Sequence, residues 1–243
     1  MALLVLENCK FFFGGLDMSG DLNALSLDMS SGMADFTTFG STTKVNGLGL
    51  KEVKFSHQGL WNSDVGASDS SIFAALSATA TPTLMCPESA NAGDLGYALN
   101  AATGQYSPAG KIGEAFAFTV SGASGDEDGV IRGTILFNGT AIVTGSGASQ
   151  NLGAVSATQK LYASLHVLSV SGTTPSLTVR VQSAGDSVFT TPVTRITFTA
   201  ATAVSSQWAT PVAGAIAGPW YRVDYTITGT TPSFDFVVFI GIQ

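Results

Sequence analysis

Ser171-Gly172-Thr173-Thr174-Pro175-Ser176 and Thr228-Gly229-Thr230-Thr231-Pro232-Ser233 are two copies of one phrase in the last third of the chain. Each stands between runs of alternating apolar and polar residues: Leu161 to Val170 and Leu177 to Val181 around the first, Trp220 to Ile227 and Phe234 to Ile240 around the second. Alternation is the signature of a half-buried strand. Gly frees the backbone for a bend, and Pro fixes one dihedral and removes a donor. Each phrase therefore reads as a hairpin turn, and two matched hairpins predict a β-sandwich module over residues 158–243.

Working back from that module, Gly145 to Ala157 is rich in Gly, Ser and Ala and reads as a linker, placed at 146–157. Residues 1–145 form the other predicted unit. Its strands are expected at Leu3 to Phe13, Asp21 to Met29, Leu50 to Trp61, Thr83 to Cys86, Leu95 to Ala101, Gly113 to Ser121 and Gly129 to Phe137. Asn23, Leu25, Leu27 and Met29 share one face of the second, with Ala24, Ser26 and Asp28 on the other. In the third, Val53, Phe55 and His57 oppose Glu52, Lys54, Ser56 and Gln58. Between these two lies Ser30 to Gly49, too long for a tight hairpin, whose Phe36, Phe39, Val45 and Leu48 require cover. Asp69 to Ala78 is the one expected helix, capped by Asp69 or Ser70, with Ile72, Phe73 and Leu76 as its apolar stripe. The fold class is thus all-β with one short helix.

Only 11% of the 243 residues are charged, against about 25% in an average soluble domain. Such a surface is hydroxyl-rich or covered by neighbouring subunits. Residues 1–145 carry fourteen acids against six bases, and the remainder is close to neutral. That balance argues against ordinary nucleic-acid binding, which needs clustered Lys and Arg. No apolar run approaches the roughly 18 residues of a membrane span. Met1 to Phe13 lacks a basic segment and a small-residue cleavage site, so a reducing cytoplasm is expected, with Cys9 and Cys86 as small core thiols.

Catalytic chemistry needs convergent titratable groups, and few are present. His57 falls on an apolar strand face and reads as a core histidine; His166 reads as half-exposed. No nucleophile elbow, His-x-x-x-His pair or phosphate loop occurs, so neither an enzyme nor a cofactor is expected. The clusters Asp17/Asp21/Asn23 and Asp126/Glu127/Asp128 lack the spacing of a calcium loop and suit wet turn tips. Trp208 and Trp220 are candidates for a surface glycan contact; Trp220 and Tyr221 are adjacent in a strand, so one of them belongs to the core.

The run Phe13-Gly14-Gly15-Leu16-Asp17-Met18-Ser19-Gly20-Asp21-Leu22-Asn23, then Asp35-Phe36-Thr37-Thr38-Phe39-Gly40, Gly49-Leu50-Lys51, Gly59-Leu60-Trp61 and Ser71-Ile72-Phe73-Ala74-Ala75-Leu76, resembles the tail tube (major tail) proteins of long-tailed bacteriophages. Gly104-Gln105-Tyr106 and Glu114 to Gly122 look like that family's later strands. The resemblance covers residues 1–145; residues 158–243 resemble the immunoglobulin-like or jelly-roll-like decorations of tail proteins. It implies a structural protein of the virion tail, assembled in the host cytoplasm, that forms homo-oligomeric rings, hexameric by family default. The rings would stack into a tube and meet other tail proteins, and DNA would pass through without specific binding. Ser26, Asp28, Glu52, Ser56 and Gln58 become lumen-facing candidates, with Lys54 paired to a neighbouring subunit's acid. Asp35, Phe36, Thr37, Phe39, Val45 and Leu48 become candidates for the ring-stacking loop. The C-terminal module would sit outside the tube and be dispensable for it. A capsid decoration protein and a carbohydrate-binding β-sandwich module are the alternatives.

Overall fold

Alternating side chains turn the first half of the chain into strands. The computed structural model describes residues 7–64 and 66–243. In chain order it forms β1 (Lys10–Phe13), β2 (Leu16–Asp17), β3 (Leu22–Asp35), β4 (Asn46–Leu60), α1 (Ser68–Ala75), β5 (Thr81–Cys86), β6 (Leu95–Ala109), β7 (Ala117–Ser124) and β8 (Val130–Ala141). Of the strand expected over Leu3 to Phe13, residues 3–6 lie outside the described residues. The expected all-β class holds, with one helix among the described residues. No helix there is long and apolar enough to cross a membrane.

The helix differs from expectation at both ends. Its N-cap is Ala67, with no side-chain cap. Asp69 faces the sheet instead, accepting hydrogen bonds from Trp61 Nε1 at 2.9 Å and the Tyr106 hydroxyl at 2.5 Å. Of the expected stripe only Ile72 is buried; Phe73 and Leu76 are exposed. A one-sided stripe needs a broad partner, and this eight-residue helix meets its sheet through Asp69, Ile72 and Ala75.

Seven further strands follow: β9 (Gly145–Ser146), β10 (Gln150–Asn151), β11 (Lys160–Ala184), β12 (Val193–Thr197), β13 (Ser205–Trp208), β14 (Val212–Ala213) and β15 (Trp220–Ile242). The repeated phrases are not hairpin turns. β11 and β15 run through them and pair with each other antiparallel, so that Ser171 faces Ser233, Thr173 faces Thr230 and Ser176 faces Thr228. Each phrase is a bulge in mid-strand. Gly172 and Thr174 take φ of 111° and 49°, and Gly229 and Thr231 repeat this at 122° and 48°. A Cβ on Gly172 would meet the Thr231 carbonyl at 2.7 Å, and one on Gly229 the Thr174 carbonyl at 2.9 Å, so each copy holds the other's backbone. Gly and Pro serve a bulge as well as a turn, and alternating flanks do not say whether their partner is near or far in sequence. The two bulges let both halves of the ribbon line one core. Leu161, Leu165 and Val167 share it with Val179 and Val181, and Tyr221 and Val223 with Phe234, Phe236 and Val238.

The stretch expected as a linker, 146–157, is tied down: Gln150 and Asn151 pair with Tyr221 and Trp220, and Val155 bridges Ile216. β8 pairs with β6 through Val130–Thr134 and with β15 through Gly133–Ala141, joining the two halves. Phe12, Leu84, Ile131 and Ile135 from the first half form one buried cluster with Tyr162, Val237 and Phe239 from the second. His166, expected half-exposed, is fully buried in this junction. Its Nδ1 donates to the Gly14 carbonyl at 2.7 Å, and Ser164 supplies a hydroxyl to Nε2 at 3.2 Å.

Three glycines cross the junction in register, Gly96 on β6, Gly133 on β8 and Gly241 on β15. A methyl group on Gly133 would overlap the Ile240 carbonyl oxygen and approach the Phe239 ring at 2.6 Å. Gly133→Ala is therefore expected to cost about 3 kcal/mol in urea unfolding. Gly96→Ala, which meets only movable side chains at 3.1 Å, should cost about 1 kcal/mol.

Candidate assembly surface

Register decides which side chains share a face. In the order β3-β4-β7-β6, Ser26 pairs with Ser56, Asp28 with Lys54, Ser30 with Glu52 and Ala24 with Gln58. Ser56 and Gln58 pair onward with Ser121 and Thr119, and these with Gln105 and Ser107. All five lumen candidates, Ser26, Asp28, Glu52, Ser56 and Gln58, thus lie on one face of a four-stranded sheet. The Ser26 and Ser56 hydroxyls are 2.8 Å apart, and Gln105 Nε2 donates to Ser107 Oγ at 3.0 Å. Gln105 belongs to a later strand only through the resemblance, and Ser107 falls outside every expected strand. The alternation Gln105-Tyr106-Ser107 was the available signal, obscured by Gly104 at a register shift.

The opposite face is apolar. Val53, Phe55, Phe118 and Val120 pack on Phe11, Phe13, Met18 and Ile72. His57 sits among them as a core residue, its ring centroid 4.9 Å from Phe11 and 5.9 Å from both Phe13 and Phe118. Neither of its nitrogens has a partner. Burial lowers its pKa to about 4. His166 is likewise lowered to about 4 by burial, which outweighs the opposing effect of the Gly14 carbonyl.

The polar face carries little charge. Asp28 stands opposite Lys54 across β3 and β4, and the Lys54 Nζ lies 2.9 Å from Glu52 Oε1 in the same chain. Hydroxyls and amides fill the remainder.

Among the described residues, β3 pairs only with β4, and residues 102–109 of β6 pair only with β7, so that both sides of this sheet end in unpaired edges there. Pro108, which lacks an N–H, limits the second edge near its end. β6 runs antiparallel to β3, so the β6 edge of one copy can receive the β3 edge of another without breaking the alternation of directions.

Beyond Met29 and Val53, β3 and β4 leave the body as a two-stranded arm. Pairing continues through Met33–Leu48 to Asp35–Asn46, so the long loop expected over Ser30 to Gly49 shrinks to residues 36–45. Asp35 accepts the Thr37 amide at 2.9 Å and pairs with Lys44 at 3.4 Å, and Thr37 Oγ1 accepts the Val45 amide at 3.0 Å. Hydrogen bonding from Thr37 holds the Asp35 carboxyl below its usual range. Phe36 lies over Gly47. The cover that these apolar residues require is not supplied by their own chain: Phe36 is 63% exposed, Leu48 80%, Leu50 90% and Phe39 fully.

The glycan candidates stand on different strands, Trp208 on β13 and Trp220 on β15. Trp208 is half-buried against the junction cluster, and Trp220 is half-buried on β15 opposite Asn151 and Ala184. Tyr221 is the core member of its pair. Cys9 and Cys86 are free thiols; Cys86 is buried as expected, and Cys9 is only half-buried. Asp128, in the acidic turn, binds the Tyr162 hydroxyl at 3.1 Å and Lys160 at 3.8 Å.

No family model matches the sequence, and no curated protein matches it. Among solved structures the chain is similar to a protein in the virion of a native gene transfer agent particle, with 16% identity and a TM-score of 0.36 over 46% of this chain and 88% of that one. It is similar to one in the tail of an empty gene transfer agent particle with C6 symmetry, at 16% identity and 0.36 over 48% and 89%. It is also similar to the SPP1 Dit protein, described as a paradigm of the hub adsorption apparatus in Gram-positive-infecting phages, at 10% identity and 0.37 over 98% and 100%.

Proposed function

We propose that this chain is a structural protein of a phage-type virion tail, whose copies join edge to edge into a ring around an axial channel. The observation that carries this reading is the open sheet β3-β4-β7-β6. Among the described residues it has an unpaired edge on each side, directions that alternate correctly across a join, one face packed on the core and the other polar. An open sheet with two complementary edges closes when copies repeat by rotation, and closure removes both edges. Six copies, the number the tail-tube resemblance implies, would give 24 strands. At about 4.8 Å spacing and roughly 40° tilt these make a barrel about 48 Å across between backbones, wide enough for duplex DNA.

In such a ring Ser26, Asp28, Glu52, Ser56 and Gln58 face the channel together with Thr119, Ser121, Gln105 and Ser107. Asp28, Glu52 and Lys54 leave a net charge of −1 per copy. A hydroxyl-lined wall with a mild negative excess neither binds phosphates nor holds DNA by counterion release. The arm, with Asp35, Phe36, Thr37, Phe39, Val45 and Leu48, is the ring-stacking element.

Negative-stain microscopy and sedimentation of the purified chain test the reading. Annular particles are expected, and a monomer at tens of micromolar would sink it. Changing Asp28→Lys and Glu52→Lys together takes the channel wall from −1 to +3 per copy. The variant assemblies are expected to retain DNA at low salt, releasing it as salt rises, where the unmodified protein retains none. Equal behaviour of the two would place this face outside the channel.

A further inference from the structure

The outer face of the β11–β15 ribbon carries a guanidinium that is fixed in place but not neutralised. Beyond the bulge, β11 sets Thr178, Arg180 and Gln182 on this face, and β15 sets Trp220, Arg222, Asp224 and Thr226 beside them. The residues between them, Val179, Val181, Tyr221 and Val223, point into the core. Arg180 Nη1 donates to Asp224 Oδ2 at 3.2 Å and to Thr226 Oγ1 at 3.0 Å, which satisfies the acid that these strands place here. Arg222 differs: among the described residues no carboxylate forms an ion pair with it.

Arg222 is nevertheless held firmly. Its Nε donates to Gln182 Oε1 at 3.0 Å, and its Cζ lies 4.3 Å from the centre of the Phe189 ring. Phe189 is buried with a φ of 59°, a left-handed conformation that a bulky residue adopts only when its surroundings impose it. Asp186 imposes it, its Oδ1 accepting the Val188 and Thr190 amides, each at 3.1 Å. A strained aromatic shelf and a partner on Nε leave the two Nη groups as the open end of a pre-organised fork.

We propose that Trp220 and Arg222 bind a saccharide that carries an acidic group. The sugar ring stacks on the indole, and its carboxylate or phosphate is taken by the Arg222 fork. The two residues stand two positions apart on one face, about 7 Å, the reach from a sugar ring to an acid on its exocyclic carbon. Trp220 is partly exposed. Asn151, opposite it on β10, is exposed and has its Oδ1 engaged by the Gly153 amide at 3.2 Å, so Nδ2 is left for a sugar hydroxyl. Charge selects the ligand class. In a chain of net charge −7, an acidic sugar finds attraction at this guanidinium, and a neutral one gains nothing from it. A nucleic-acid backbone would need the clustered bases that this face lacks.

Tryptophan fluorescence and isothermal titration of the full chain test the site. A galacturonic acid tetrasaccharide and a glucose monophosphate present the acid as carboxylate and as phosphate; a galactose tetrasaccharide and glucose are their neutral counterparts. Saturable binding of an acidic probe is expected with half-saturation at about 1 mM or below, and the tighter of the two identifies the acid. Arg222→Lys keeps the charge but removes the fork, and should weaken binding about tenfold. Trp220→Phe should abolish the quenching. An unchanged thermal melt verifies the fold of each variant. Equal affinity for the acidic and neutral tetrasaccharides, or competition by inorganic phosphate as strong as by the glucose monophosphate, overturns the site without recourse to a variant. So does an absence of binding to both acidic probes, or undiminished binding by Arg222→Lys.

Discussion

A chain ended after Ala157 is expected to be insoluble on expression and to show no cooperative thermal transition. Residues 158–243 read from sequence as a dispensable outer module, but their removal strips β8 of β15 over Gly133–Ala141. It also uncovers Phe12, Leu84, Ile131 and Ile135, which are buried with Tyr162, Val237 and Phe239. Each large side chain returned to water forfeits about 1.5–3 kcal/mol. Four of them forfeit about 6–12 kcal/mol, comparable to the whole 5–15 kcal/mol stability of a typical domain. The Gly14 carbonyl also loses its bond to His166. A soluble truncated chain with a sharp melt would show that residues 1–157 fold alone.

Acidification to pH 5 should destabilise the intact protein by about 4 kcal/mol relative to pH 7, through two buried histidines. His57 is enclosed by phenylalanines, with no carboxylate among its contacts. His166 is bonded to the Gly14 carbonyl and Ser164 and lies beside the Phe12 ring, on β11 between Val237 of β15 and Ser206 of β13. Both pKa values lie near 4, below the ordinary 6.5. The unfolded chain therefore binds protons first as pH falls. Stability is full above about pH 6.5 and declines toward pH 4, with each histidine contributing about 2 kcal/mol of the loss by pH 5. Urea unfolding at the two pH values measures it, and His57→Phe should reduce the loss by about half. A midpoint that does not move between pH 7 and 5 would mean that the histidines are solvated.

The candidate surface was legible wherever a single strand carries its own pattern. Asp28 and Ser26 on one strand, and Glu52, Ser56 and Gln58 on another, alternate with apolar residues, so each set shares a face of its own strand by that period; that the two sets lie on one side of the sheet is decided by register. Periodicity alone does not carry the strand on to Gln105 and Ser107, because Gly104 interrupts the alternation at a register shift; the resemblance reaches Gln105 but not Ser107. The arm was half legible. Its apolar residues stand out as needing cover, but Gly32, Gly47 and Gly49 made a paired ribbon look like an open loop. The repeated Gly-Thr-Thr-Pro phrase does not reveal its partner, since bends and bulges draw on the same residues.

Composition and periodicity thus determined an all-β chain poor in charge, with a polar face on β3 and β4 and His57 in the core, because burial of alternate residues is a local property of a strand. Which strands lie side by side is a property of contacts distant in sequence. Only the tertiary structure decided that the two repeated phrases clasp each other, that β8 joins both halves, that His166 is buried beneath Gly14 and that the sheet is left with two open edges. Pairing energy depends on backbone groups that every residue carries alike, so the side-chain pattern could not choose among partners.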